Sequence, residues 1–204
     1  TVESRTDGLI ELVSIDTDKR CRASHWSELG GGADLPLLAL LARQYRLENA
    51  TLTTRGESPA GAGIAGSSAM NVAICGALAK FTRTDFEPED LLEIAKDVEA
   101  QVIKVPTGLQ DYRPAIYGGI AAIELHPGKP VRVALDVNPR ELERRVVLCY
   151  TGEPRNSGTN NWDITKRHID GDAHIFDCFE RIRDTAAEMR EALTRGDWDA
   201  TAAC

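Results

Sequence analysis

Residues 58–78 read SPAGAGIAGSSAMNVAICGAL, and the glycines at 61, 63 and 66 have the spacing G-x-G-x-x-G. The threonine-rich run NATLTTRGE lies immediately before them, and Ala69, Val72, Ala73, Ile74, Ala77 and Leu78 follow. This predicts a strand that turns through a glycine loop into a helix, with the helix N-terminus facing the loop and its small apolar residues buried nearly all round. Glycines at such a turn let several backbone N–H groups converge on phosphate oxygens, and the positive end of the helix adds to the attraction. The competing explanation is close packing of strand on helix, with no ligand.

Two common phosphate motifs do not fit. A dinucleotide fold needs an acidic residue at the end of the next strand to take the ribose hydroxyls. Asp85 stands at about that distance, but TRTDFEPED reads as a turn into a helix. A nicotinamide-dependent oxidoreductase therefore lacks its ribose carboxylate. No Gly-Lys-Ser or Gly-Lys-Thr completes a Walker loop either.

Around this unit, LIELVSID and RCRASHW alternate apolar and polar residues about TDK, predicting two paired strands. Residues 35–45 predict a helix. A second helix follows TDFEPEDLLEIAKDVEAQVI, with Asp85 as a cap, Pro88 in the first turn, and Leu91, Ile94, Ala95, Val98 and Val102 on one face. PTGLQDYRPAIYGG predicts a loop entering a short helix. IAAIEL, VRVALDV and RVVLCYT predict strands. Beyond Thr151 the pattern is helical, with Ile175, Phe179, Ile182, Ala186, Met189 and Leu193 at steps of three or four.

The charge balance, 24 Lys and Arg against 32 Asp and Glu for a net −8, argues against nucleic acid or an anionic membrane as partner. Five scattered cysteines give no disulfide framework, and the longest apolar run, LPLLALLA, is too short to span a bilayer. A cytoplasmic protein is the expectation. The four histidines show no ligand cluster for a transition metal.

Pro59-x-Gly61-x-Gly63-Ile64-Ala65-Gly66-Ser67-Ser68-Ala69 resembles the phosphate loop of the GHMP kinases, roughly P-x-G-x-G-L-G-S-S-A. Here Ala65 replaces a glycine and Gly66 a hydroxyl residue. GLQDYRPAIYGG resembles the family segment in which a carboxylate precedes an aromatic-Gly-Gly turn, and YTGEPRNSG its T-G-x-x-R-x-S segment. The Gln-Asp pair and the turn lie nearest the heptose 7-phosphate kinase subgroup.

The resemblance implies that Pro59, Gly61, Ala62, Gly63, Ile64, Ala65, Gly66, Ser67 and Ser68 hold ATP. It places Mg²⁺ on Ser67 and Glu99, with Ser68 taking the serine's role if the alignment carries a one-residue gap. Glu99 reads equally as a solvated helix residue. Asp111 takes the catalytic position, orienting or deprotonating the acceptor hydroxyl, with a helix cap as the plain reading. Tyr117, Gly118 and Arg155 fall in substrate-facing segments. Tyr117, Gly118 and Gly119 read equally as a structural turn, and Arg155 as a surface ion pair.

The implied fold is α+β: a ribosomal-protein-S5-like N-terminal domain over residues 1–151 and the start of a ferredoxin-like C-terminal domain over 152–204. The implied function is ATP-dependent phosphorylation of a sugar or sugar-phosphate hydroxyl, at the anomeric carbon if the subgroup holds. A galactokinase-like or fucokinase-like acceptor and a non-catalytic nucleotide-binding module are the rivals. The segments that would hold the family's first and last motifs are missing. The chain is therefore expected to be a piece of a longer protein, inactive alone and prone to self-association through the Ile175–Leu193 stripe.

Overall fold

The computed structural model describes residues 1–59, 61–105, 107–153 and 157–204, with no side chains described over 157–161. It has mixed α and β structure in two compact units, one of Thr1–Ile116 with residues 152–153 and one of Tyr117–Thr151 with residues 157–204. Arg155 lies outside the described residues.

In the first unit, strands β1 (Val2–Ser4), β2 (Ile10–Ser14), β3 (Lys19–Ala23) and β4 (Ala50–Thr54) form one sheet in the order β1-β4-β2-β3. β2 pairs antiparallel with β3, as the alternation around TDK predicts, and parallel with β4 in the register Ile10↔Ala50 and Leu12↔Leu52. The period of two turns Ile10, Leu12, Ala50 and Leu52 into the core. On β2, Glu11 points to the opposite face, where it accepts from Arg5 at 2.6 Å and Arg22 at 2.8 Å.

Helices α1 (Pro36–Gln44), α2 (Gly66–Thr82) and α3 (Pro88–Ile103) supply the rest of this core, through Leu38, Leu41, Ile74, Cys75, Leu78, Leu92, Ala95 and Val98. α2 is not buried all round: Ser67, Ala69, Ala73 and Lys80 are exposed. Its neighbours α1 and α3 cover only part of its circumference, and its near-uniform small residues give no sequence signal for the open side.

Asp85 does not cap α3. Pro88 occupies the first helical position, which makes the extended Glu87 the N-cap, without a side-chain bond. Leu92, which the spacing passed over, is fully buried, whereas Leu91, Ile94 and Val102 are half-buried.

Helix α4 (Tyr112–Tyr117) leads into the second unit, where β5 (Ala121–Glu124) and β6 (Val131–Ala134) form an antiparallel pair. They are followed by α5 (Pro139–Glu143), α6 (Ser157–Ile169), α7 (Ala173–Arg195) and α8 (Trp198–Ala203). RVVLCYT is not a strand: residues 146–150 are irregular, and Val147 is 85% exposed. A strand needs a hydrogen-bonded neighbour, and neither β5 nor β6 supplies one to this segment. On α7, Ile175 is buried while Phe179, Ile182 and Met189 are exposed. Among the described residues no helix is long and apolar enough to cross a membrane.

Candidate active site

The loop of residues 55–65 leaves the end of β4 and is anchored at its start by the Gly56 N–H, which donates to Asp16 Oδ1 at 3.1 Å. It then turns through left-handed backbone at Gly61 (φ 72°), Gly63 (φ 75°) and Ala65 (φ 60°). Ala65 is the N-cap of α2 and offers the helix no side-chain bond. The first-turn N–H groups therefore face the loop without a side-chain cap, an arrangement suited to an anion.

Gly66 is required for a different reason. A Cβ there would sit 2.8 Å from Ser58 Oγ and 3.1 Å from Ser58 Cβ, so a side chain at this position requires Ser58 to move aside. The replacement of a glycine by Ala65, in contrast, costs torsional energy. Ala65→Gly should relieve about 1–2 kcal/mol of left-handed strain, partly offset by the larger backbone entropy of glycine in the unfolded chain. A gain of about 1 kcal/mol in urea unfolding is expected. A variant less stable than the wild type would show that Ala65 is not strained.

The two helices bordering the loop bring the nominated metal donors together. Ser67 Oγ donates to Glu99 Oε1 at 2.8 Å, and Ser68 Oγ donates to Glu99 Oε2 at 3.2 Å. Glu99 is 7% exposed, which removes the reading of a solvated helix residue. One turn away, Asn71 Nδ2 donates to the Ala95 carbonyl at 2.7 Å and ties α2 to α3. Ser67 is exposed at the loop whereas Ser68 is buried. One hydroxyl and one carboxylate, both hard oxygen donors, fit a magnesium ion that keeps most of its waters.

Asp111 immediately precedes α4 and is half-buried. Burial first, and the charge of Glu99 second, raise its carboxyl above the ordinary aspartate value. This places Asp111 within the electrostatic reach of the serine–glutamate cluster.

Tyr112, which sequence reasoning missed, completes the cluster by donating its hydroxyl to Glu99 Oε2 at 2.5 Å. Its available signal was position: a tyrosine starting a helix beside a candidate catalytic carboxylate must find a partner for its hydroxyl if its ring is buried. Arg113, also buried, makes a two-pronged bond to Glu89 and fastens α4 to α3.

Tyr117 and Gly118 fall in the second unit, where Arg132 holds them. Its guanidinium lies 5.3 Å from the Tyr117 ring centroid and donates to the Gly118 carbonyl at 2.8 Å.

Residues 31–119, which include the loop, Glu99 and Asp111, match the family model for the GHMP kinases N terminal domain. The chain is 26% identical over 212 residues to the D-glycero-alpha-D-manno-heptose 7-phosphate kinase of Campylobacter jejuni subsp. jejuni serotype O:2, covering 97% of this chain and 61% of that protein. It is 23% identical over 105 residues to the galactokinase of Thermotoga maritima, covering 52% of this chain and 29% of that protein. Among solved structures, a D-glycero-D-manno-heptose 1-phosphate kinase from Bacteroides thetaiotaomicron has a similar fold, with a TM-score of 0.70 at 18% identity over 99% of this chain and 62% of that one. The chain thus spans about three-fifths of the length of these heptose-phosphate relatives.

Proposed function

Because the chain carries a GHMP kinase N-terminal domain over residues 31–119, we propose that the protein transfers the γ-phosphoryl group of ATP to a hydroxyl of a sugar or sugar phosphate. The observation that carries this reading is the bond of Ser67 to the buried Glu99 beside a glycine loop with an uncapped helix end; Asp111 lies near enough for the Glu99 charge to act on its carboxyl. The relative at 26% identity favours a heptose phosphate as acceptor, with transfer to its anomeric oxygen.

In this mechanism the N–H groups from Gly61 to Ser68 bind the phosphates and fix their direction. Ser67 Oγ and Glu99 Oε1 would hold magnesium, which would supply charge neutralisation on the phosphate oxygens. Asp111 accepts a hydrogen bond from the acceptor hydroxyl and takes its proton as that oxygen forms its bond to the γ-phosphorus. The bond from γ-phosphorus to the bridging oxygen breaks, and ADP leaves with the electron pair. Transfer of this kind depends chiefly on positioning and charge neutralisation, so a single half-buried carboxylate suffices as base. The raised affinity of Asp111 for a proton suits it to that role.

The protein is taken to act in the cytoplasm, and the exposed Phe179, Ile182 and Met189 are taken to drive self-association of this 204-residue chain, measurable by light scattering. The test of the function is an ADP-release assay of the full-length protein against free hexoses, heptoses and their 7-phosphates. Release dependent on a heptose 7-phosphate is expected. Release with galactose or fucose alone would move the acceptor to those sugars. Nucleotide binding without release for any acceptor would mark a binding module.

A further inference from the structure

The two oxygens of Glu99 have different surroundings. Oε2 faces inward, where it accepts from the buried Ser68 hydroxyl at 3.2 Å and from the Tyr112 hydroxyl at 2.5 Å. Among the described residues Oε1 accepts from Ser67, at 2.8 Å, and Ser67 is exposed at the first turn of α2. We propose that Tyr112 is a positioning residue of the site, holding Oε2 on the buried side so that Oε1 and Ser67 Oγ together face a divalent cation. The inference rests on the reading of Ser67 and Glu99 as the metal donors.

Three observations carry it. The terminal torsion of a glutamate is broad and roughly two-fold, so the side chain by itself does not decide which oxygen faces outward. Ser68 is a weak arbiter, because its bond is the longer one and a hydroxyl on a short side chain rotates to suit its surroundings. Tyr112 is a strong one. Its side chain is 1% exposed and packed in the core, so the position of its oxygen is fixed by the ring. An ionised carboxylate can only accept, so the Tyr112 hydroxyl is the donor in this bond.

The bond also links the two halves of the chemistry. Tyr112 is the first residue of α4 and the direct neighbour of Asp111, so a contact that orients the carboxylate on α3 also fixes the start of the helix after the candidate base. The Asn71 bond to Ala95 holds α2 against α3 one turn away, and Tyr112 joins the Arg113–Glu89 pair in tying α4 to α3, with its own tie made at Glu99.

The test uses Tyr112→Phe, which keeps the ring and its packing and removes only the hydroxyl. Mn²⁺ serves as the probe, with its binding to the full-length protein read by electron paramagnetic resonance in the presence of ADP. Loss of a group that orients a ligand typically weakens metal affinity by about 10–100-fold, and about tenfold is expected here. ADP affinity measured in EDTA should stay at the wild-type value, a split that loosening of the fold would not produce. Glu99→Gln serves as the second arm and should abolish Mn²⁺ binding. If Glu99→Gln loses the metal while Tyr112→Phe binds it as the wild type does, Tyr112 has no positioning role and the metal reading stands. If Glu99→Gln also keeps the metal, both fall. A lowered melting temperature in Tyr112→Phe with Mn²⁺ affinity intact would likewise overturn the inference, leaving Tyr112 a packing residue only.

Discussion

Replacing Asp111 with Asn should lower turnover by about 10²–10⁴-fold, the range typical of a lost general base, while ATP affinity stays near that of the wild type. Asparagine keeps the shape of the side chain and can still donate to an acceptor hydroxyl, but it cannot take the hydroxyl proton. Asp111 precedes α4, whereas the proposed phosphate contacts come from the loop before α2. The loss should therefore appear in kcat and leave nucleotide binding, measured by calorimetry, unaffected. A full-length variant with wild-type kcat would remove Asp111 from the mechanism.

The same substitution should stabilise the fold. Burial and the Glu99 charge both disfavour the ionised form of Asp111, so its carboxyl titrates above its unfolded value. The folded state thus binds this proton more tightly than the unfolded state does. Its contribution is fully present below the ordinary aspartate value and is lost as pH rises through the folded value. At neutral pH the ionised side chain is a cost, and Asn removes it. A higher melting temperature for Asp111→Asn at pH 7 is expected, with the difference shrinking as pH falls into the range where wild-type Asp111 is protonated. If Asp111 is the base, its cost to the fold is the familiar compromise between activity and stability.

The parts of the fold legible in the sequence are those where a local pattern and a tertiary role coincide. Alternation around TDK gives the β2–β3 hairpin because one face of those strands is buried and the other is polar. The threonine run, the glycines and the small-residue helix give β4, the loop and α2 because each local preference agrees with the position taken. Where tertiary contacts decide, the pattern misleads. Val146, Val147 and Leu148 have strand propensity but are consecutive rather than alternating, and without a ladder partner they remain irregular and exposed. Asp85 has the chemistry of a cap, yet Pro88 sets the helix start three residues beyond it.

The site divides in the same way. Ser67, Glu99 and Asp111 are identifiable through the resemblance of short segments. That Glu99 is buried and held by three hydroxyls depends on how α2, α3 and α4 pack, which no spacing within one segment encodes. The position of Tyr112 beside Asp111 was legible, but its partner was not, because that contact lies thirteen residues back along the chain.

The glycine loop gives the second large expected effect. Gly63 has φ 75°, and valine is among the residues least able to adopt that backbone. Gly63→Val should force the loop to unbend and turn some of its N–H groups away from the phosphates. Losing one or two hydrogen bonds to a charged group, at about 1.5–3 kcal/mol each, corresponds to a fall in ATP affinity of about tenfold at least and about 10⁴-fold at most. The control is Gly66→Ala, whose defect is a clash rather than a torsion, because its Cβ would meet Ser58 Oγ at 2.8 Å. Adding Ser58→Ala removes that hydroxyl and should restore much of the affinity lost in Gly66→Ala, whereas it should do nothing for Gly63→Val. Two neighbouring glycines would then be distinguished by cause, one needed for the space it leaves and the other for the backbone angle it adopts. A folded Gly63→Val protein that bound ATP with wild-type affinity in calorimetry would mean that the phosphates do not rest on this loop.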